Sequence, residues 1–308
     1  MQTALEKVTA SGVELDTSPE AFGTLRDSSN LSWDAVALRQ RIEEDGYLFL
    51  PGLLQREEVL EARAVVAQRL EQRGLLRPGS APMECRIAPE AAHGHIPSME
   101  LALGNPQLMK VLYTGPMMEW YEMFLGASVR HFDYTWFRAV VPGTSTPPHT
   151  DAVYMNRGTH NLYTSWTPIG DIPRAMGGLM VLEGSHKIER LRQNYSMKDV
   201  DAFCENRVGS DYTAMGGGGN IRKGGSLSQD PFKLRQALGG RWLTSDFRAG
   251  DLLMFSIFTV HASIDNGSDR IRLSSDSRYQ LASESADERW IGANPVGHGP
   301  QAKGAMIC

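Results

Sequence analysis

The segment PPHTDAVY, residues 147–154, places His149 and Asp151 two positions apart, directly after two prolines. In an extended segment residues i and i+2 share a face, so imidazole and carboxylate would converge on one point with Thr150 turned away. Such a pair can hold a metal, run acid–base chemistry or form a buried hydrogen-bonded couple. His261 ends the apolar run DLLMFSIFTVHAS, which follows the turn RAGD. At the end of a buried strand it would lie at the rim of a barrel or sandwich, within reach of ligands. Two histidines and one carboxylate form the facial set that binds non-haem Fe(II) and leaves three cis positions open. Zinc accepts the same donors, although structural zinc favours four ligands rich in cysteine.

The other histidines offer less. His93 and His95 lie in EAAHGHIPS with no acidic partner at metal-ligand spacing, and His186 sits in the turn LEGSHK, where backbone bonding is expected. His131, His160 and His298 each stand alone in the sequence. Arg272 follows His261 by eleven positions, within RIRLSSDSRYQLA. There Arg270, Arg272, Ser274, Asp276 and Arg278 alternate with a second face that holds Ile271, Leu273 and Tyr279. A guanidinium beside a metal can grip a carboxylate through two parallel hydrogen bonds. The same alternation also describes a solvated strand face, and periodicity does not separate the two.

These residues need a framework, and 308 residues suffice for a real core. Composition is that of a globular protein, with 41% hydrophobic and 22% charged residues. The net charge of −5, with both signs interspersed, gives no footprint for nucleic acid or an anionic membrane. Cys85, Cys204 and Cys308 show no CxxC spacing and no even-numbered framework, which fits a reduced, cytoplasmic setting. No apolar run reaches membrane-spanning length, and the first residues lack the basic-then-apolar order of a signal peptide.

Residues 1–30 read as a loosely held lead-in. SWDAVALRQRIEEDG predicts a helix capped by Ser32, with Leu38 and Ile42 on one face and Gly46 as its stop. YLFLPG predicts a short strand. Residues 56–73 predict a second helix with Val59, Ala62, Val66 and Leu70 on one stripe, and MKVLYTGPMMEWYEMFLG a helical stretch broken at Pro116. From about residue 130 short β-type runs take over: HFDYTWFRAVV, NLYTSWTPI, GGLMVLEG, DLLMFSIFTVHAS and RIRLSSDSRYQLA. Helices followed by many short strands predict an α+β sandwich or barrel, not a Rossmann fold. The Gly-rich stretch 211–232 is either a surface insertion or a lid, in which Arg222 and Lys223 could meet an anionic substrate. It has no phosphate-loop pattern.

Order and spacing together resemble the phytanoyl-CoA dioxygenase family, within the Fe(II)- and 2-oxoglutarate-dependent oxygenases. The resemblance runs from IEEDGYLFLPGLLQREEV through PPHTDAVY and TSWTPIGDIPRAMGGLMVLEGSHK to FRAGDLLMFSIFTVHASIDNGSDRIRLSSDSRY. Its parts are the HxD, a tryptophan-bearing strand, G-x-L-x-x-x-x-GSH, GD, a histidine and an arginine about ten residues on. It implies a double-stranded β-helix, a jelly-roll or cupin-like barrel, over about 129–285. Supporting helices would span about 31–128 and a tail about 286–308, in one oxygenase domain over 31–308. It implies that His149, Asp151 and His261 ligate iron and act in catalysis. Arg272 would pair with the distal carboxylate of 2-oxoglutarate, Ser263 would bond it, and Trp166 would line the cosubstrate site. Thr164 and Arg138 would project there from neighbouring strands.

The implied reaction uses O2 and oxidises a small organic molecule, foremost by hydroxylation, with succinate and CO2 as co-products, in secondary metabolism or catabolism. Halogenating relatives carry a small residue where Asp151 stands, so the aspartate favours hydroxylation or another oxidation over chlorination. Tyr154, Asn156 and Arg222 are the expected substrate contacts. The Gly-rich stretch and the tail match no family motif, and only Arg222, Lys223, Lys233 and Arg235 cluster, so a coenzyme A substrate is not carried over. Two alternatives remain open at this point: a cupin-like metalloenzyme without 2-oxoglutarate, which would leave Arg272 without a partner, and a non-catalytic small-molecule-binding protein of the same fold.

Overall fold

A computed structural model describes residues 7–92, 96–202 and 225–302. His93 and His95, Arg222 and Lys223, and residues 211–224 of the Gly-rich stretch lie outside the described residues. A short hairpin, β1 (Thr9–Ala10) and β2 (Val13–Glu14), precedes β3 (Phe22–Thr24). Helix α1 (Ala35–Asp45) leads into β4 (Tyr47–Leu50), and then come α2 (Arg56–Gln72), α3 (Ser98–Ala102), α4 (Pro106–Tyr113) and α5 (Gly115–Leu125). The second half holds β5 (Val129–His131), β6 (Trp136–Val140), β7 (Tyr163–Pro168) and β8 (Leu179–Leu182). It continues with α6 (Pro231–Leu238), β9 (Trp242–Thr244), β10 (Leu252–Ser256), β11 (His261–Ser263) and β12 (Arg272–Leu281). No described helix is long and apolar enough to cross a membrane.

Apart from the β1–β2 hairpin, the described strands form two facing sheets. The larger runs β4-β10-β7-β12-β5, with β6 also paired to β12, and the smaller runs β11-β8-β9-β3. This is the helix-supported jelly roll that the sequence implied. Parity along each strand sets the layers. In β10, Leu253 and Phe255 join Trp166, Val181, Leu243 and Phe247 in one apolar cluster. The alternate residues Leu252 and Met254 face the cluster built by the helices, with Val59, Val66, Leu70, Trp120 and Phe124. Strand β12 divides the same way: Leu273 and Tyr279 meet the helices, and the ring of Tyr279 stacks on Tyr121 at 4.1 Å.

Several local expectations need correction. The lead-in is not loose over residues 7–30: β3 pairs in parallel with β9, and Ala10, Phe22 and Leu25 are buried. The cap of α1 is Asp34, not Ser32; its carboxylate accepts the N–H groups of Val36 and Ala37 at 3.1 and 3.0 Å. Ser32 follows a 3-10 turn, two positions too early to reach those donors. Gly46 stops the helix at φ 78°, as expected, because that left-handed conformation suits glycine. The break between α4 and α5 falls at Thr114, with Pro116 in the first turn of α5, where its missing N–H costs nothing. The run DLLMFSIFTVHAS is two strands in different sheets, so His261 opens β11 instead of ending a long strand.

Asp34→Ala is expected to lower stability by about 1 kcal/mol, the usual worth of an N-cap, while Ser32→Ala leaves the urea midpoint almost unmoved. Equal midpoints for the two variants would return the cap to Ser32.

Candidate active site

His149 and Asp151 do not share a strand. His149 and His261 exchange backbone hydrogen bonds, 3.0 Å each way, in an isolated bridge between the segment after Pro147-Pro148 and β11. Thr150 is extended, and Asp151 then opens a 3-10 turn over Asp151–Val153. The turn brings the carboxylate under both rings by a tighter path than the i, i+2 spacing of a strand. Thr150 is buried, with its hydroxyl 3.2 Å from that of Ser196.

Donor atoms of His149, Asp151 and His261 lie within 4.8 Å of one another, and all three residues are buried. Nε2 of each histidine is 3.7 Å from Asp151 Oδ1. Nδ1 of His149 is 2.9 Å from the Pro147 carbonyl, and Nδ1 of His261 is 3.0 Å from that of Thr259. A carbonyl only accepts, so each Nδ1 carries the proton and each Nε2 turns a lone pair to the common point. Burial, with His261 beside it, pushes the His149 imidazole down to about 3, which keeps that lone pair free at neutral pH.

The other carboxylate oxygen, Oδ2, is taken. Thr164 Oγ1 donates to it at 2.5 Å and Arg278 Nη2 at 2.9 Å. Thr164 and Arg278 stand directly opposite each other in the β7–β12 ladder, so one cross-strand pair clamps one oxygen. Burial works to raise the Asp151 carboxyl, but Arg278 foremost, then both histidines and Thr164, holds it below the usual carboxylate range. Asp151 is therefore an anion with one oxygen committed to protein and one aimed between two imidazoles. A divalent cation fits that donor set.

Arg272 supplies a second unfilled demand. It is 2% exposed, and among the described residues its one hydrogen bond runs from Nη1 to Ser274 Oγ at 3.0 Å and Nε has no partner. Burial pushes its guanidinium down to about 10. A buried guanidinium without a carboxylate is costly, and an anionic ligand answers that cost. Trp166 lies beside it, its ring 5.9 Å from the Arg272 Cζ. Arg138 on β6 pairs with Asp276 at 3.2 Å. Ser263 is buried, and its Oγ accepts the Thr146 N–H at 2.8 Å.

A cavity of about 390 Å³ is lined in part by His149 and Asp151. Tyr134, Trp136 and Met155 give it apolar walls, and Arg138, Arg278, Tyr154 and His298 line it as well. Asn156 is outside that lining and donates to the Lys198 carbonyl at 2.8 Å. The aromatic and Met155 walls were not singled out in the sequence, and neither were two of the polar residues. Arg278 was visible only as a further member of the polar face of β12. His298, which stood alone in the chain, is placed at the cavity by the described part of the tail.

The family model for phytanoyl-CoA dioxygenase (PhyH) matches residues 42–274. The chain belongs to the phytanoyl-CoA dioxygenase family. That places it among the Fe(II)- and 2-oxoglutarate-dependent oxygenases, as the motifs implied. A 1-deoxypentalenic acid 11-beta-hydroxylase of Streptomyces arenae is 27% identical over 280 residues, covering 86% of this chain and 87% of that protein. Its counterpart from Streptomyces exfoliatus is 28% identical over 268 residues, 83% and 85% of the two chains. Among solved structures, the epimerase SnoN in complex with Fe3+, alpha ketoglutarate and nogalamycin RO superposes with a TM-score of 0.53. It is 21% identical, covering 86% of this chain and 94% of that one. The carbocyclase SnoK from nogalamycin biosynthesis gives 0.51 at 19% identity, covering 86% and 90%. These two likenesses establish the phytanoyl-CoA dioxygenase family member's jelly-roll fold.

Thr164→Val and Arg278→Met are expected to weaken Mn(II) binding by about 10- to 100-fold, because both release Asp151 Oδ2. Arg272→Met leaves that affinity unchanged. Calorimetric titration of the metal-free proteins, with thermal melts to confirm folding, checks this, and unaltered affinity in the first two variants removes the clamp from the metal site.

Proposed function

We propose that this enzyme oxidises, foremost by hydroxylation, a small organic molecule with Fe(II), 2-oxoglutarate and O2, releasing succinate and CO2. The observation that carries the reading is the pairing of two unmet demands: three donors converging on one point, and Arg272 buried with no ion pair among the described residues. His149, His261 and Asp151 Oδ1 would hold the iron. Arg272 would receive the far carboxylate of 2-oxoglutarate, with Trp166 as the wall beside it and Ser263 and Arg138 as flanking polar groups. Bound iron with 2-oxoglutarate and O2 supplies the oxidising power to break a carbon–hydrogen bond.

The chain's own part is positioning and exclusion of water. Thr164 and Arg278 occupy Asp151 Oδ2, so Asp151 would offer a bound metal its other oxygen, and room would remain for the cosubstrate and O2. The aromatic walls of Tyr134 and Trp136, with Tyr154 beside His149, confine a substrate body next to those positions. The two relatives named for 11-beta-hydroxylation of 1-deoxypentalenic acid support hydroxylation of a small molecule. An aspartate at position 151, where halogenating relatives have a small residue, supports it too.

Anaerobic titration of metal-free protein with Fe(II) and then 2-oxoglutarate tests the reading. A visible charge-transfer band is expected in the wild type, abolished in Asp151→Ala and weakened in Arg272→Ala. Stoichiometric iron without a band would favour a cupin-like enzyme that needs no cosubstrate. Absence of iron binding would leave a binding protein.

A further inference from the structure

Beside Tyr154, the cavity wall includes a histidine that the family match, ending at residue 274, does not reach. The Tyr154 ring meets the ring of His149 at 5.6 Å and that of His298 at 5.6 Å, so His298 is one aromatic ring removed from a metal ligand. Nδ1 of His298 is 2.7 Å from Asp201 Oδ2. The carboxylate accepts there, so Nδ1 carries a proton and Nε2 is the polar atom left for a ligand; it has no partner among the described residues.

The support behind this imidazole is unusually firm for a residue at a cavity rim. Asp201 is 1% exposed and also accepts the Gly299 N–H at 3.1 Å and Arg289 Nη1 at 2.7 Å. Burial works to raise the Asp201 carboxyl, but the bonds from His298, Gly299 and Arg289 bring it down to about 2. Arg289, itself 0% exposed, is fixed in turn by Asp287 and by Asp199 at 3.0 Å. Trp290 packs edge-on against the His298 ring at 4.7 Å. A buried carboxylate that orients one ring nitrogen while the other faces a ligand space is the arrangement that fixes a functional histidine.

The cavity also indicates what Nε2 meets. Arg278 and Arg138 line the same space and give it positive charge, while Nε and Nη1 of Arg278 are buried and have no partner among the described residues. The carboxylate in that lining, Asp151, is committed to the metal. The polar side of the cavity thus suits an acidic oxygen, and its aromatic side suits an apolar body.

We propose that His298, positioned by Asp201 and carrying a proton on each ring nitrogen when substrate is bound, orients the substrate by donating from Nε2 to a carboxylate on it, and that the substrate is a small carboxylic acid with an apolar body. This rests on the oxygenase reading above and adds the group by which the enzyme chooses the carbon presented to the metal.

The test uses protein loaded anaerobically with Fe(II) and 2-oxoglutarate. The band of bound cosubstrate is recorded first. Adamantane carboxylic acid, cyclohexanecarboxylic acid and naphthoic acid, each alongside its methyl ester, are then titrated while changes in the band are followed. At least one acid is expected to bind about tenfold or more tightly than its ester, the worth of a charge-assisted hydrogen bond. His298→Ala should reduce that acid to the level of its ester without altering ester binding. His298→Gln, which keeps an N–H donor, should restore part of the preference, and Asp201→Asn should weaken it. An intact cosubstrate band in each variant shows that it is folded and loaded. Equal binding of acids and esters, no binding by any of the three acids, or an acid preference that survives His298→Ala overturns the proposal. A missing band in the wild type overturns the oxygenase reading instead.

Discussion

The Asp151 carboxylate sets the constraint around which the rest is arranged. An ionised carboxylate at 2% exposure costs several kcal/mol unless its oxygens are answered. Here the answers are divided. Oδ2 receives the hydroxyl of Thr164 and the guanidinium of Arg278, while Oδ1 stands 3.7 Å from two imidazoles whose protons are already given to carbonyls. Protein groups satisfy one oxygen, and the other lacks only a cation. The clamp requires β7 and β12 to be paired with Thr164 opposite Arg278, and a slip of either strand by one residue would turn its member of the pair to the other face.

That register is enforced from outside the barrel. Along β12 the polar residues Arg272, Ser274, Asp276 and Arg278 alternate with a face carrying Leu273 and Tyr279, which pack on the helices. The usual layout of a half-solvated sheet is reversed, with charge inside and hydrocarbon outside. It is stable because the helices cover the outer face and the inner charges find partners or await ligands. Trp120, Tyr121 and Phe124 of α5 form the aromatic layer against that face, and Tyr121 also bonds the hydroxyl of Ser165 on β7 at 2.7 Å. The helices therefore act on the site at a distance, by fixing which side of β7 and β12 faces inward.

Much of this was legible in the chain. The stripe of α2, the stop at Gly46, the break near Pro116 and most of the strands follow from local periodicity and turn residues. His149, Asp151 and His261 were legible as candidates because the order and spacing of the surrounding motifs, more than the HxD alone, single them out, and Arg272 because its distance from His261 completes that order. The cap of α1 was misread by two positions because Ser32 and Asp34 both suit an N-cap, and only the backbone path chooses between them. The strand expected through His149 and Asp151 is a bridge followed by a 3-10 turn, a distinction that two prolines and one HxD do not encode.

By itself the sequence determined which groups are available: two imidazoles, a carboxylate, a run of arginines, and apolar patterns that settle helix and strand. Those are local properties, fixed by residue type and short-range spacing. Only the tertiary structure decided that Arg278 serves Asp151, that Arg272 is buried with no ion pair among the described residues, and that His149 and His298 both meet the ring of Tyr154. Each of these joins residues more than 100 positions apart or turns on which face of a strand is covered. Such facts depend on how the sheets close and what packs over them, and no local pattern carries them.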